Sequence, residues 1–296
     1  AATCGDGIVK NLRWMLLAVY GMLSTLPLLW LAITAIKSRV DSIATTAKFI
    51  PVGEGLGIEA GSVRFEATLE GFRALGEIYA GAAHPYYHYL LNTFLIGSLS
   101  TVAAVSLGTL CAYGFSRFRI LGERDLLFFI LSTRFLPPLA VVIPILMMYR
   151  SLGLPNTHLG LVILYTAFNL SLAVWLMKGF IDDIPAAFEE AALVDGYTRW
   201  QVFLRVVLPR ALPGMAVTAV FCLISAWNEY GFAMTLNNRD AVTVPVYFAG
   251  LQGNVQGMPW SQVGAGVLLF VTPIVVFTVL TRKHLLRGVT FGTIKQ

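Results

Sequence analysis

The stretch DDIPAAFEEAALVDGYTRWQVFLRVVLP, residues Asp182 to Pro209, is a polar island in an apolar chain. Five acidic residues fall in its first 14 positions, and long uncharged runs flank it. It reads as structured chain held in water between two membrane spans. Pro185 suits the first turn of a helix, where its missing N–H costs nothing. The residues from Ala186 to Leu193 are mostly strong helix formers, and their glutamates favour the positive N-terminal end. Gly196 can end that helix in the left-handed conformation. Thr198 and Gln201 form an S/T-x-x-Q capping box for a second helix, to which Val202, Phe203, Val206 and Val207 give an apolar stripe. Pro209 stands where the next span would start. The expectation is helix, turn, helix.

The rest of the chain explains why the island must be in water. Of 296 residues, 57% are hydrophobic and 12% charged, with a mean hydropathy of +0.73. A soluble domain carries roughly 25% charged residues. Half that charge, spread between apolar runs, marks an integral membrane protein. The net charge of +5 comes from basic residues at the ends of apolar runs, a pattern of membrane orientation with no patch for nucleic acid. Cys4, Cys111 and Cys222 form no CxxC pair, and the four histidines no HExxH, so neither a disulfide framework nor a zinc site is expected.

The runs predict an all-α architecture of six spans. They are Trp14–Ile36, Tyr89–Ser116, Leu126 to about Tyr149, Leu159–Met177, Pro209–Leu236 and Gln262–Thr281. The first follows Lys10 and Arg13 and is too long for the apolar core of a cleaved leader, although a leader cut near Ala44 is the competing reading. Pro27 is a tolerated kink in it. The third span contains Arg134 and is broken by Pro137, Pro138 and Pro144. Residues 37–88 form a hydrophilic outer segment. Its first half is interrupted by Pro51, Gly53, Gly55, Gly57 and Gly61, and its second holds a short amphipathic helix carrying Phe65, Leu69, Phe72 and Leu75. Six spans put both ends of the chain on one side. Thirteen Lys and Arg lie on that side and seven on the other, five of these in the long 37–88 loop. The positive-inside rule therefore places the ends and the 182–209 island in the cytoplasm.

Within the island, Glu190-Ala191-Ala192, three residues, Gly196, nine residues and Val206-Val207-Leu208-Pro209 resemble the EAA–Gly–LP signature of ABC importer permease subunits. Val206 stands where isoleucine is usual. Other stretches are similar to the carbohydrate-importer branch, in particular the second membrane subunit of maltose-type systems. These are Thr68–Phe72, Ala112-Tyr113-Gly114-Phe115-Ser116-Arg117, Trp227-Asn228-Glu229-Tyr230 and Leu286–Gly292. The resemblance covers nearly the whole chain. It implies a type I importer transmembrane domain at residues 14–282, a cytoplasmic N-terminus (1–13), a cytoplasmic coupling loop (178–208) and a tail (283–296). It also implies a coupling helix seated in a cleft of a cytoplasmic ATPase subunit. Glu190, Ala191, Ala192, Asp195, Gly196, Leu208 and Pro209 would be the coupling residues. Glu190 would meet a basic or hydrogen-bonding group, and Gly196 would supply the bend. The implied partners are a second homologous permease subunit, two ATPase subunits that carry ATP and Mg, and an extracytoplasmic solute-binding protein, all at a bacterial inner membrane. The residues agree on one point: no GxxxxGK[ST] phosphate loop is present, so this chain is no ATPase by that route.

Polar residues inside the spans are the candidates for a solute pathway. Arg134 costs from ~2.5 kcal/mol upward at membrane depth, so it faces a cavity or a partner, or bonds backbone carbonyls freed by Pro137. Trp227, Asn228, Glu229 and Tyr230 combine rings that stack on sugar faces with groups that bond hydroxyls, and equally fit an aromatic belt around a structural polar pair. Asn92 and Thr93 are weaker candidates. An autonomous channel or ion-coupled carrier is the alternative class; carriers show internal repeats and broken helices with midplane charges, and no repeat is evident here. No nucleophile elbow or paired carboxylates support an enzyme. The solute itself (sugar, polyol, sugar acid or glycerol phosphate) stays open.

Overall fold

The computed structural model describes residues 2–290 apart from 54–61, 79–81, 136–137, 238 and 252–256, and side chains within 11–283 apart from 138 and 139. Gly55, Gly57 and Gly61 of the outer segment, Pro137 of the proline pair, and Phe291 and Gly292 of the tail lie outside the described residues, as do the side chains from Leu286 to Thr290. Among the described residues five helices are long and apolar enough to cross a membrane, and six when one sharply bent pair counts as a single span.

Two compact units are present. The first takes residues 1–87 and 250–271. It opens with α1 (Ala2–Ala35), exposed from Asn11 to Trp30 but for a half-buried Gly21. That suits a helix whose surroundings are hydrocarbon. The hydrophilic segment is not purely helical. α2 (Arg39–Ser42) and a parallel ribbon of β1 (Ile50–Val52) and β2 (Arg64–Glu66), pairing Pro51 with Phe65, precede α3 (Glu70–Ala74). The expected amphipathic helix is short and does not carry all four apolar residues: Phe65 lies in β2, Phe65 and Leu75 are fully buried, Phe72 is half-buried and Leu69 is exposed. Lys37, at the end of α1, lies over the Trp30 ring at 4.3 Å, and burial pushes its ammonium below the ordinary pKa while Asp41 opposes the shift.

The second unit takes residues 88–249 and 272–296. Its helices are α4 (Tyr86–Arg117, beginning in the first unit), α5 (Glu123–Ser132), α6 (Pro138–Leu152), α7 (His158–Asp182), α8 (Ala187–Val194), α9 (Arg199–Val202), α10 (Leu208–Trp227), α11 (Gly231–Leu236) and α12 (Val244–Gly250); α13 (Trp260–Thr290) joins the two units in sequence. α7 and α10 form the central pair. Asn169 donates to the Cys222 carbonyl at 3.3 Å, and Thr218 donates to Met177 Sδ at 3.4 Å. α4 comes close to α7 at Gly108, where a Cβ would sit 2.5 Å from that of Ala173. Small residues at such crossings are how membrane helices gain packing contact without a hydrophobic drive.

Two of the expected spans differ from the structure. The third is two helices. α5, extended by a 3-10 turn over Thr133–Phe135, and the part of α6 from Ala140 differ in direction by 93°. Adjacent prolines remove two backbone donors and disfavour helix in the residues before them, so the expected break becomes a sharp change of direction. The fifth span is shifted. It does not begin at Pro209: α9 runs through a π turn, Phe203–Val207, into α10, giving one helix from Arg199 to Trp227. The Leu208 N–H reaches the Phe203 carbonyl, and the Arg210 guanidinium donates to the Val206 carbonyl at 2.9 Å. The wide turn thus absorbs the donor missing at Pro209. At its other end the helix stops nine residues before the expected Leu236, at Trp227.

Candidate functional site

The 182–209 island is local structure that its own residues dictate. α8 closes with a Schellman motif: Gly196 has φ +87°, its N–H bonds the Leu193 carbonyl at 3.1 Å, and the Tyr197 N–H bonds the Ala192 carbonyl at 3.1 Å. The Thr198–Gln201 capping box is fully formed. Adjacent residues on a helix point about 100° apart, so the glutamate pair divides. Glu190 is exposed, together with Ala191, Asp195, Gly196 and Pro209, and Val194 is 88% exposed. Ala192 turns inward and packs among Met177, Ile181, Val202 and Val207, so of the expected coupling residues it presents no surface; Leu208 is half-buried.

Glu189, which the sequence reading did not single out, is 3% exposed. Its Oε1 accepts from Arg117 Nε at 2.5 Å and its Oε2 from the Tyr113 hydroxyl at 3.1 Å. Arg117 Nη2 also donates to the carbonyls of Ile181 (3.0 Å) and Ile184 (2.7 Å). If one charge is lost the other keeps a hydrogen-bond partner, Arg117 the two carbonyls and Glu189 the Tyr113 hydroxyl. The signals for it were Arg117 closing the Ala112–Arg117 stretch and a second glutamate beside Glu190.

Deeper among the spans lies a cavity of about 200 Å³, lined by Arg134, Tyr165, Phe168, Asn169, Ser225, Ala226, Glu229 and Phe232. The helix break supplies one wall, since Arg134 sits in the 3-10 turn that ends α5. Irregular backbone at membrane depth belongs beside a cavity. Arg134 is held loosely, by the Phe168 carbonyl at 3.5 Å and the Ser225 hydroxyl at 3.4 Å. Glu229 is held tightly. It accepts from the N–H groups of Phe232 (2.8 Å) and Ala233 (3.1 Å), capping α11, and from the Tyr165 hydroxyl at 2.7 Å. Asn169 is 2% exposed, and its Oδ1 has no donor among the described residues.

Of the five pathway candidates, the structure brings Arg134 and Glu229 to one cavity. Trp227 is 1% exposed, packed on Gly97 and edge-on to Phe94. Asn228 bonds the Ile224 carbonyl, and the Tyr230 hydroxyl reaches Met234 Sδ. Asn92 fastens the 237–244 segment: it donates to the carbonyls of Asp240 and Val242 and meets His158 Nε2 at 2.8 Å. Thr93 accepts from the Val244 N–H at 2.9 Å. Tyr165, Asn169 and Ser225 enter the cavity from α7 and α10 without any sequence signal, because only the pairing of those helices brings them together.

Residues 104–290 match the family described as "Binding-protein-dependent transport system inner membrane component". The chain belongs to this family. It is a multi-pass inner-membrane permease subunit, and its relatives cover it almost end to end. It is 32% identical over 272 residues to the trehalose transport system permease protein SugB of Mycobacterium tuberculosis, covering 91% of this chain and 92% of that one. It is 30% identical over 287 residues to the probable ABC transporter permease protein y4oR of Sinorhizobium fredii, covering 97% and 96%. Among solved structures, the permease fold matches a chain of a bacterial ABC transporter involved in the import of the acidic polysaccharide alginate, with a TM-score of 0.71 at 23% identity over 94% of this chain and 97% of that one. That likeness fixes the fold. The broken third helix therefore belongs to a permease subunit, although such breaks are also common in secondary carriers.

Proposed function

We propose that this permease is the non-catalytic membrane subunit of an ATP-driven, binding-protein-dependent importer for a sugar, polyol or sugar derivative. The observation that carries this reading is α8. It offers Glu190, Ala191, Val194 and Asp195 on an exposed face, while its opposite face is packed onto α7 and the π turn. Exposed valine beside fixed negative charge is a docking surface for a partner with a small apolar cleft and a basic or hydrogen-bonding group. The chain lacks a phosphate loop, so ATP and Mg sit on that partner: two cytoplasmic ATPase subunits beneath this permease and a second homologous one.

In this reading both ends of the chain and residues 178–208 face the cytoplasm, residues 37–88 face outward, and an extracytoplasmic binding protein delivers solute. ATPase closure moves α8, the spans open outward, and hydrolysis resets them. The solute class rests on the relatives, among them a trehalose permease, and on the cavity. There, loosely held Arg134 donors and the unpaired Asn169 Oδ1 suit a hydroxyl, which can accept from one and donate to the other.

The test is reconstitution in vesicles of this chain with the second permease, the ATPases and the binding protein, assayed with a trehalose-class disaccharide and a sugar acid. The expected result is uptake that needs both ATP and binding protein. Flux through this chain alone, without ATP, would establish an autonomous channel or carrier instead.

A further inference from the structure

We propose that Arg117 and Glu189 form the joint through which movement of α8 reaches the spans α4 and α7. The inference rests on the reading of α8 as the helix that docks on an ATPase subunit. It concerns a different question: how a push on an eight-residue helix at the membrane surface becomes a movement of helices that cross it.

Packing alone transmits such a push poorly. The inner face of α8 meets apolar side chains, and apolar contact is non-directional, so a short helix pressed from outside can slide or tilt on it. The Arg117 guanidinium removes that freedom. It stands at the C-terminal end of α4. Its Nε is bound to Glu189 Oε1 on α8 at 2.5 Å. Its Nη2 is bound to the carbonyl of Ile181, in the last turn of α7, and to that of Ile184, in the link from α7 to α8. One planar group thus holds the ends of two spans, the linker and the coupling helix. The fork geometry of arginine fixes directions as well as distances. Tyr113, one turn back on α4, holds the other carboxylate oxygen at 3.1 Å, so the carboxylate cannot swing about a single bond. With 12% and 3% side-chain exposure, the pair has little water to exchange with.

The two neighbouring glutamates then have separate tasks. Glu190 faces the partner and receives the force, and Glu189 passes it on. Arg117 and Glu189 are positioning residues and touch neither nucleotide nor solute.

The test uses the complete transporter in vesicles and compares solute taken up with ATP hydrolysed. Glu189→Gln keeps the shape and loses the charge; Arg117→Lys keeps the charge and loses the fork. Both variants should assemble with the ATPase subunits and hydrolyse ATP within about two-fold of the parent, yet move roughly ten-fold less solute per ATP. Tyr113→Phe should lose about two-fold. The double variant Arg117→Lys/Glu189→Gln should be no worse than the worse single one, because both remove the same joint. The proposal is overturned if the solute-to-ATP ratio is unchanged in both single variants, if their effects add, or if assembly, hydrolysis and uptake fall in step, which marks a plain structural brace. If the parent complex shows no ATP-dependent uptake, the docking reading beneath it fails instead.

Discussion

Glu189 and Glu229 are both glutamates held by a tyrosine and by further donors, one guanidinium N–H for Glu189 and two backbone N–H groups for Glu229, yet they do different work. Glu229 takes two backbone N–H groups from the helix that follows it, so it shapes its own stretch of chain. Glu189 takes its donors from a helix more than 70 residues away and holds separate elements together. The coupling loop is local architecture, tied to α4 through Glu189 and through the Tyr113 ring against Phe203. The cavity is long-range throughout, assembled from α5, α7, α10 and α11. A defect in the loop should therefore break communication and leave the fold intact. A defect at Glu229, the tightly held part of the cavity wall, should reach stability first.

The strongest way to break this contrast is Gly196→Pro. The φ of +87° cannot be met by a proline ring fixed near −65°, so α8 loses its terminating turn. ATP-driven uptake should fall to background while detergent-solubilised protein keeps its melting temperature within a few degrees. A large drop in melting temperature would show that the loop supports the bundle. Next comes Glu229→Ala, which uncaps α11 and strands the buried Tyr165 hydroxyl. A destabilisation of about 2–4 kcal/mol is expected from denaturant titration, with Glu229→Gln intermediate. Smallest is Arg134→Met. Its bonds of 3.4–3.5 Å are long, so stability should move by less than about 1 kcal/mol while uptake falls about three- to ten-fold. Destabilisation as large as that of Glu229→Ala would make Arg134 a brace and leave the cavity without a free donor.

How much of this could be read from the residues follows the same division. The spans were legible because hydrocarbon demands long uncharged runs. The turn at Gly196 and the capping box were legible because both are settled within six residues. Which of two glutamates turns inward was not, since that depends on where α8 lies against α4 and α7. The break in the third span was visible as prolines, but its 93° angle depends on the helices packed around it. Pro209 misled for a physical reason: a proline near a helix start and a proline compensated by a π turn have the same sequence. Glu229 and its neighbours looked like the far part of a span because their apolar surroundings continue to Leu236, whereas one helix ends at Trp227 and another begins at Gly231.

The π turn also sets a rule about chain length. It holds five residues, Phe203 to Val207, and closes on the Leu208 N–H. A wide turn spends one extra residue on about the same rotation, so deleting one residue there would return the helix to α geometry and leave the segments before and after it facing nearly as they do now. A single-codon deletion at the π turn therefore preserves facing, whereas the same deletion in the regular helix of α10 would turn everything before it by about 100°.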